Sequence, residues 1–215
     1  GSGGKPYTAD IGIEGDKISC IGDLSEVQGV EVINAEGKIV SPGFVDPHSH
    51  ADLSLHKENS EELLKPLVMQ GITTFVGGNC GMALSPLLEP GKEAIYTYIE
   101  VFSSFNPEAE FRWEKTGEYF EYLEKKGLPL NSAILAPHGL LRLHGVGPEN
   151  RYATEEEIKR MAIALEDCME AGCVGMSTGL QYFPGSQSNT EELIALGKVL
   201  KKYDGIFTSH LRSYS

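Results

Sequence analysis

Two histidines one residue apart, His48 and His50, close the stretch Gly43-Phe44-Val45-Asp46-Pro47-His48-Ser49-His50. Read as an extended strand, side chains alternate with period two, so Asp46, His48 and His50 would share one face. Two neutral imidazoles at one strand end make half of a metal site of the zinc type, and further ligands must come from elsewhere. Cys80 and His210 are the candidates, because each follows a short apolar run, "ITTFVGGNCG" and "GIFTSH". Cys80 also lies between glycines, where a thiolate can be approached closely. Cys20, in an alternating strand, and Cys168, on the apolar face of a helix, read instead as small core residues.

These residues need strands to carry them. Residues 9–22 alternate around a Glu14-Gly15-Asp16-Lys17 turn, which predicts a β-hairpin, and a second turn at Ala35-Glu36-Gly37 lies between Val30–Ile33 and Lys38–Val40. Residues 1–41 therefore read as part of a small β domain. From residue 42 onward strands alternate with helices. Asn59 with Glu62 reads as a capping box opening a helix that Pro66 should kink. Helices follow at about 94–102 and 116–126. Thr154 with Glu157 caps the clearest helix, and Asn189 with Glu192 caps the last. Apolar strands lie at 72–76, in "LPLNSAILAPHG", in "CVGMS" and in "GIFTSHL". Ser132–Pro137 and Cys173–Ser177 are expected in one parallel sheet with Phe44–His48. The pattern predicts an α/β fold, a partial (β/α)8 barrel of about five of eight strands over residues 42–215, with candidate ligands at its C-terminal face.

With 215 residues and 40% apolar content the chain can build a core, and its formal charge of −13 argues against nucleic-acid or anionic-membrane partners. No apolar run approaches a bilayer span. Four cysteines without paired spacing suit a reducing compartment, so the cytoplasm is expected. The opening Gly1-Ser2-Gly3-Gly4 reads equally as a remnant or a native turn, which leaves a removed signal peptide open.

"SPGFVDPHSHADL", "GNCG", "STGLQYFPG" and "SHLRS" together resemble the N-acyl-D-amino-acid deacylases (D-aminoacylases) of the amidohydrolase superfamily, from about Asp10 to the last residue. The His-x-His segment is superfamily-wide, whereas "GNCG" with "STGL.Y.PG" is specific. Many binuclear relatives bridge their metals with a carboxylated lysine on the fourth barrel strand, but "CVGMSTG" has none. The resemblance implies that Cys80 takes the bridging role, that Cys80 and His210 hold a tightly bound zinc, and that His48 and His50 face a second, weaker position. It implies Tyr182 as a contact to the substrate carboxylate. It also implies metal-assisted hydrolysis of a linear amide, with a general-base aspartate and a further histidine ligand beyond Ser215, so that the 215 residues alone are expected to be inactive. Asp46 is read as orienting the site or touching metal weakly, not as the base.

His138 and Arg142, in "APHGLLR", are assigned structural roles first, and His56 and His144 have no supporting context. One departure is Tyr214, which stands where the family commonly has an acid two residues after Arg212. The leading reading is a zinc amidohydrolase acting on N-acyl-D-amino acids. A cyclic-amide hydrolase of the dihydropyrimidinase or dihydroorotase kind is the alternative, disfavoured by the missing lysine. A metal-binding fragment without turnover is the third reading.

Overall fold

A computed structural model describes residues 3–102 and 111–214, and the chain divides into two compact units, Gly1–Pro42 and Gly43–Ser215. In the first unit β1 (Asp10–Glu14) pairs antiparallel with β2 (Lys17–Gly22), and Gly15 at φ 63° makes the turn. The expected second hairpin does not form. Its turn is present, with Lys38 N–H on the Ala35 carbonyl at 2.9 Å, but residues 30–33 and 38–40 are not strands. Cys20 is exposed, not core. A two-stranded ribbon has no second layer to bury either face, so alternation along it places nothing in a core.

The second unit runs β3 (Phe44–Asp46), α1 (Ser60–Val68), β4 (Ile72–Gly77), α2 (Lys92–Phe102), α3 (Thr116–Lys126), β5 (Asn131–Ile134), β6 (Ala136–Pro137), α4 (His138–Val146), α5 (Glu155–Glu170), β7 (Gly175–Gly179), α6 (Thr190–Lys202) and β8 (Ile206–His210). All its pairings are parallel, in the orders β3-β4-β5 and β6-β7-β8. The expected single sheet is thus resolved as two three-stranded sheets. The third expected strand divides at Leu135: Leu135 N–H bonds the Gly77 carbonyl on one side, while the Ile134 carbonyl accepts from Val174 N–H on the other, both at 3.0 Å. One continuous stretch of backbone therefore serves both sheets. The outer strands expose apolar side chains, Phe44 and Val45 at 60% and Ile206 and Phe207 at 48%.

The helices pack as two layers of core. Leu64, Phe75, Ile95, Trp113, Tyr119, Leu123 and Ile134 join α1, α2 and α3 to β4 and β5. Leu141, Met161, Leu165, Cys168, Met176, Leu196 and Leu200 join α4, α5 and α6 to β6 and β7, so Cys168 is core as expected. The expected capping at Asn59 is absent, its side chain making no cap bond, and α1 runs through Pro66 to Val68. At α5 the box is complete: Thr154 Oγ1 accepts from Glu157 N–H at 3.4 Å, and the Glu157 carboxylate accepts from Thr154 N–H at 2.7 Å. Asn189 Oδ1 accepts from Glu192 N–H at 2.9 Å and starts α6.

Glu192 has a second role. Its carboxylate is fully buried and accepts from Arg142 of α4 and pairs with His138 Nε2 at 2.8 Å. Burial pushes the Glu192 carboxyl up, and its bonds to His138 and Arg142 outweigh that, leaving it below the usual carboxylate range. Arg142 also donates to the Gln187 carbonyl at 2.9 Å. The segment between β7 and α6 is thereby pinned to α4 by a charge that has no access to water.

Three outcomes follow. Glu192→Ala leaves Arg142 as an uncompensated buried cation and should cost about 3–5 kcal/mol in urea denaturation. Thr154→Ala should cost about 1 kcal/mol. Glu157 adds a pH signature, because the Arg151 hydrogen bond first, and the Thr154 contacts after it, lower its pKa to about 2. A depressed folded-state value stabilises above the unfolded value of 4.5 and is lost as pH falls toward 2. Glu157→Gln should flatten the fall in stability across that window.

Candidate metal centre

β3 ends at Asp46, so His48 and His50 are carried by the turn after the strand and not by its alternation. Asp46 Oδ1 accepts from His48 N–H at 3.1 Å, which turns the chain out of the sheet. Ser49, between the two histidines, donates its N–H to the Val76 carbonyl at 3.0 Å and fastens the turn to the end of β4. The rings of His48 and His50 lie 5.7 Å apart, edge to face at 83°. Burial, and then the neighbouring His48, hold His50 below the ordinary imidazole value, which keeps it in the neutral form that binds metals.

β4 runs into a turn in which Gly78 (φ 72°), Cys80 (φ 59°) and Gly81 (φ 72°) are all left-handed. Glycine adopts this backbone freely, but a residue with a Cβ does so only when its surroundings hold it there. Asn79, fully buried, is one such hold: its Nδ2 donates to the Val76 carbonyl at 2.8 Å and to the Ser49 carbonyl at 3.4 Å. It therefore ties the Cys80 turn to the histidine turn. Ser177 of β7 is another, its Oγ accepting from Gly81 N–H at 2.8 Å and donating to the Gly78 carbonyl.

The result brings ligand atoms of His48, His50 and Cys80 within 4.8 Å of one another. Cys80 Sγ lies 3.6 Å from His48 Nε2 and 3.8 Å from His210 Nδ1. Cys80 thus stands between the histidine pair and His210, which closes β8. His210 Nε2 meets Gln181 Oε1 at 2.7 Å. An amide oxygen only accepts, so the proton of a neutral His210 sits on Nε2 and the Nδ1 lone pair faces Cys80. Tyr182 and Tyr214 set ring edges against His210 at 5.2 and 5.6 Å, so the tyrosine that replaces the expected acid supports the ring by packing.

A thiol and imidazoles are the donor set of a zinc-type ion, and their atoms already converge here, so the residues fit such a group. Burial raises the Cys80 thiol, against a lowering contact from Tyr182, so the free sulfur is held as a thiol and would release its proton on meeting a cation. Tyr182 donates its hydroxyl proton to the Cys80 carbonyl at 2.5 Å. Asp52, two residues past His50, is buried, and burial pushes its pKa up to about 7. His138 and Arg142 lie in the buried network with Glu192, and His56 packs edge to face on Phe111. Asn79, Ser177 and Gln181 were not foreseen as functional. Asn79 had a signal in its place beside Cys80, whereas nothing in the sequence marks which hydroxyl or amide will face the site.

The family model described as Amidohydrolase family matches residues 31–198. Among curated relatives, a D-aminoacylase of Alcaligenes xylosoxydans xylosoxydans is 34% identical over 95% of this chain and 40% of its own length. An N-acyl-D-glutamate deacylase of the same organism is 36% identical over 99% and 42%. The chain thus spans about two fifths of the curated relatives it matches. A crystal structure of N-acyl-D-glutamate deacylase from Bordetella bronchiseptica, complexed with zinc and a phosphonate inhibitor that mimics the tetrahedral intermediate, superposes with a TM-score of 0.87. Its identity is 33%, and it covers 99% of this chain and 43% of the other. With most of its residues under one family description and the same fold as a solved relative, the chain belongs to the amidohydrolase family.

Proposed function

We propose that this chain is part of a zinc-dependent amidohydrolase that cleaves the amide of N-acyl-D-amino acids to a carboxylate and a free D-amino acid. The observation that carries the reading is the buried thiol of Cys80 standing between His48 and His50 on one side and His210 on the other. Relatives whose names specify D-aminoacylase and N-acyl-D-glutamate deacylase support the linear substrate over a cyclic amide. Cys80 and His210 would hold the tight zinc, and His48 and His50 would face a second, weaker position with Cys80 as the shared ligand. When bound, the ion supplies positive charge that polarises an amide carbonyl and acidifies water.

The chain's own residues set the geometry for that chemistry. Gln181 holds His210 with Nδ1 toward Cys80, and Asn79 keeps the histidine and cysteine turns in register. Asp46 Oδ1 accepts from the His48 N–H and orients the histidine turn, and the general-base role is assigned, as part of this proposal, to an aspartate outside these residues. Tyr182 adjoins the site as the substrate contact. Its hydroxyl has one proton, now on the Cys80 carbonyl, and contact with a substrate carboxylate would require that proton to swing away. The small β unit before residue 43 and a partial (β/α)8 barrel after it complete the reading; the exposed apolar residues of β3 and β8 are those that further strands of a barrel would cover. Four free cysteines suit a reducing compartment, the cytoplasm, and among the described residues no helix is long and apolar enough to cross a membrane.

The full-length protein should contain zinc and hydrolyse N-acetyl-D-amino acids in preference to the L-forms. Equal rates on both enantiomers, or no zinc, would overturn the reading. Cys80→Ser should keep the fold and lose the tight metal together with activity, because a neutral hydroxyl is a far poorer ligand than a thiolate. Cys20→Ser and Cys168→Ser should retain the wild-type metal content. Wild-type zinc stoichiometry and affinity in Cys80→Ser would remove Cys80 from the site.

A further inference from the structure

Ser177 occupies the middle of β7 and is fully buried, in a strand whose five residues are all buried. Nothing in its position along the strand requires a hydroxyl, since a small apolar residue would fill the same space. The hydroxyl is nevertheless saturated from two sides. It accepts from Gly81 N–H at 2.8 Å and donates to the Gly78 carbonyl, the two ends of the left-handed turn whose interior holds Cys80. A serine hydroxyl has one proton to give and can accept at the same time, so one side chain closes both ends of the turn.

The closure has a backbone reason. Gly78, Cys80 and Gly81 are all at positive φ, and Cys80 at 59° has a Cβ that disfavours this region, a cost that surrounding contacts must outweigh. The Gly78 carbonyl and Gly81 N–H face the buried strand, where either one without a partner would be unfavourable by itself. The Tyr182 hydroxyl bonds the Cys80 carbonyl. The thiol is therefore aimed by the backbone of its turn, and that backbone is fastened to β7 of the other sheet.

We infer that Ser177 is a positioning residue for the metal centre: its hydroxyl holds the Gly78–Gly81 turn in the conformation that presents the Cys80 sulfur to His48 and His210. The inference rests on the proposed role of Cys80 as a metal ligand and adds to it a residue that itself touches neither metal nor substrate. Removing a partner that orients a ligand typically weakens metal binding 10-fold to 100-fold.

The test uses the full-length protein, stripped of metal and reloaded with zinc or cobalt(II). Cobalt bound by a thiolate gives a sulfur-to-metal charge-transfer absorption that reports Cys80 ligation directly and independently of turnover. Ser177→Ala should retain wild-type far-ultraviolet circular dichroism, bind zinc about 10-fold to 100-fold more weakly, and show a weakened or shifted cobalt–thiolate band. Ser177→Thr, which restores a hydroxyl, should recover affinity and band, while Ser177→Val, of the same shape without the hydroxyl, should not. This pair decides the matter if the alanine variant fails to fold. Wild-type affinity and an unchanged band in folded Ser177→Ala, or equal behaviour of the threonine and valine variants, would overturn the inference. Absence of the band in the wild type would instead overturn the assignment of Cys80, so the two failures are distinguishable.

Discussion

Everything at the site depends on one constraint, the left-handed turn that carries Cys80. An L-residue at φ 59° sits there only because its neighbours leave the backbone no better choice. Those neighbours come from three separate parts of the chain: Ser49 before α1, Ser177 in β7, and Tyr182 after β7. The turn is a second link between the two sheets, beside the backbone they share at Leu135. A flexible loop could bring a thiol near two imidazoles, but ordering it would be opposed by conformational entropy at the moment an ion binds. Here that cost is met during folding.

The parallel sheet explains why the ligands converge. Every crossover between paired strands returns the chain through a helix to the same end of the sheets, so residues at or just past the ends of β3, β4 and β8 come together although Cys80 and His210 lie 130 positions apart in sequence. The helices have to be held against that sheet. Most of this is apolar packing, and the exception is the Glu192 carboxylate shared by His138 and Arg142. Such a buried charge contributes little net stability compared with apolar packing, but it is selective. It fixes α6 relative to α4, and through Arg142 it fixes the backbone at Gln187, in the segment that also supplies Gln181 and Tyr182 to the site.

The candidate metal donors are legible because chemistry restricts such donors to few residue types, and because each follows an apolar run that ends a strand. His48, His50, Cys80 and His210 could be selected on those grounds, and the structure brings them to one place. Local signals worked where the interactions are local, as at Thr154 and Glu157. They failed at Asn59, where the helix begins without help from the side chain, and at residues 30–40, where alternation without a partner strand made only a turn. Parity along β3 also misled, since the strand ends before either histidine.

Residue types and their spacing by themselves pointed to an α/β class, to most of the order of strands and helices though not to α4, to a candidate set of metal donors and to the family resemblance. Composition, apolar periodicity and short-range capping are local properties, and they survive without knowledge of what packs on what. Only the tertiary structure decided that the third strand divides at Leu135 between two sheets, that Cys20 is exposed, and that Glu192 is a buried counter-ion as well as a helix-cap partner. It alone decided that Asn79, Ser177 and Gln181 hold the site. A hydroxyl or an amide carries no sign in the sequence of which backbone group it will meet, because that partner is chosen by a fold that brings the Gly81 N–H to 2.8 Å from a hydroxyl 96 positions away.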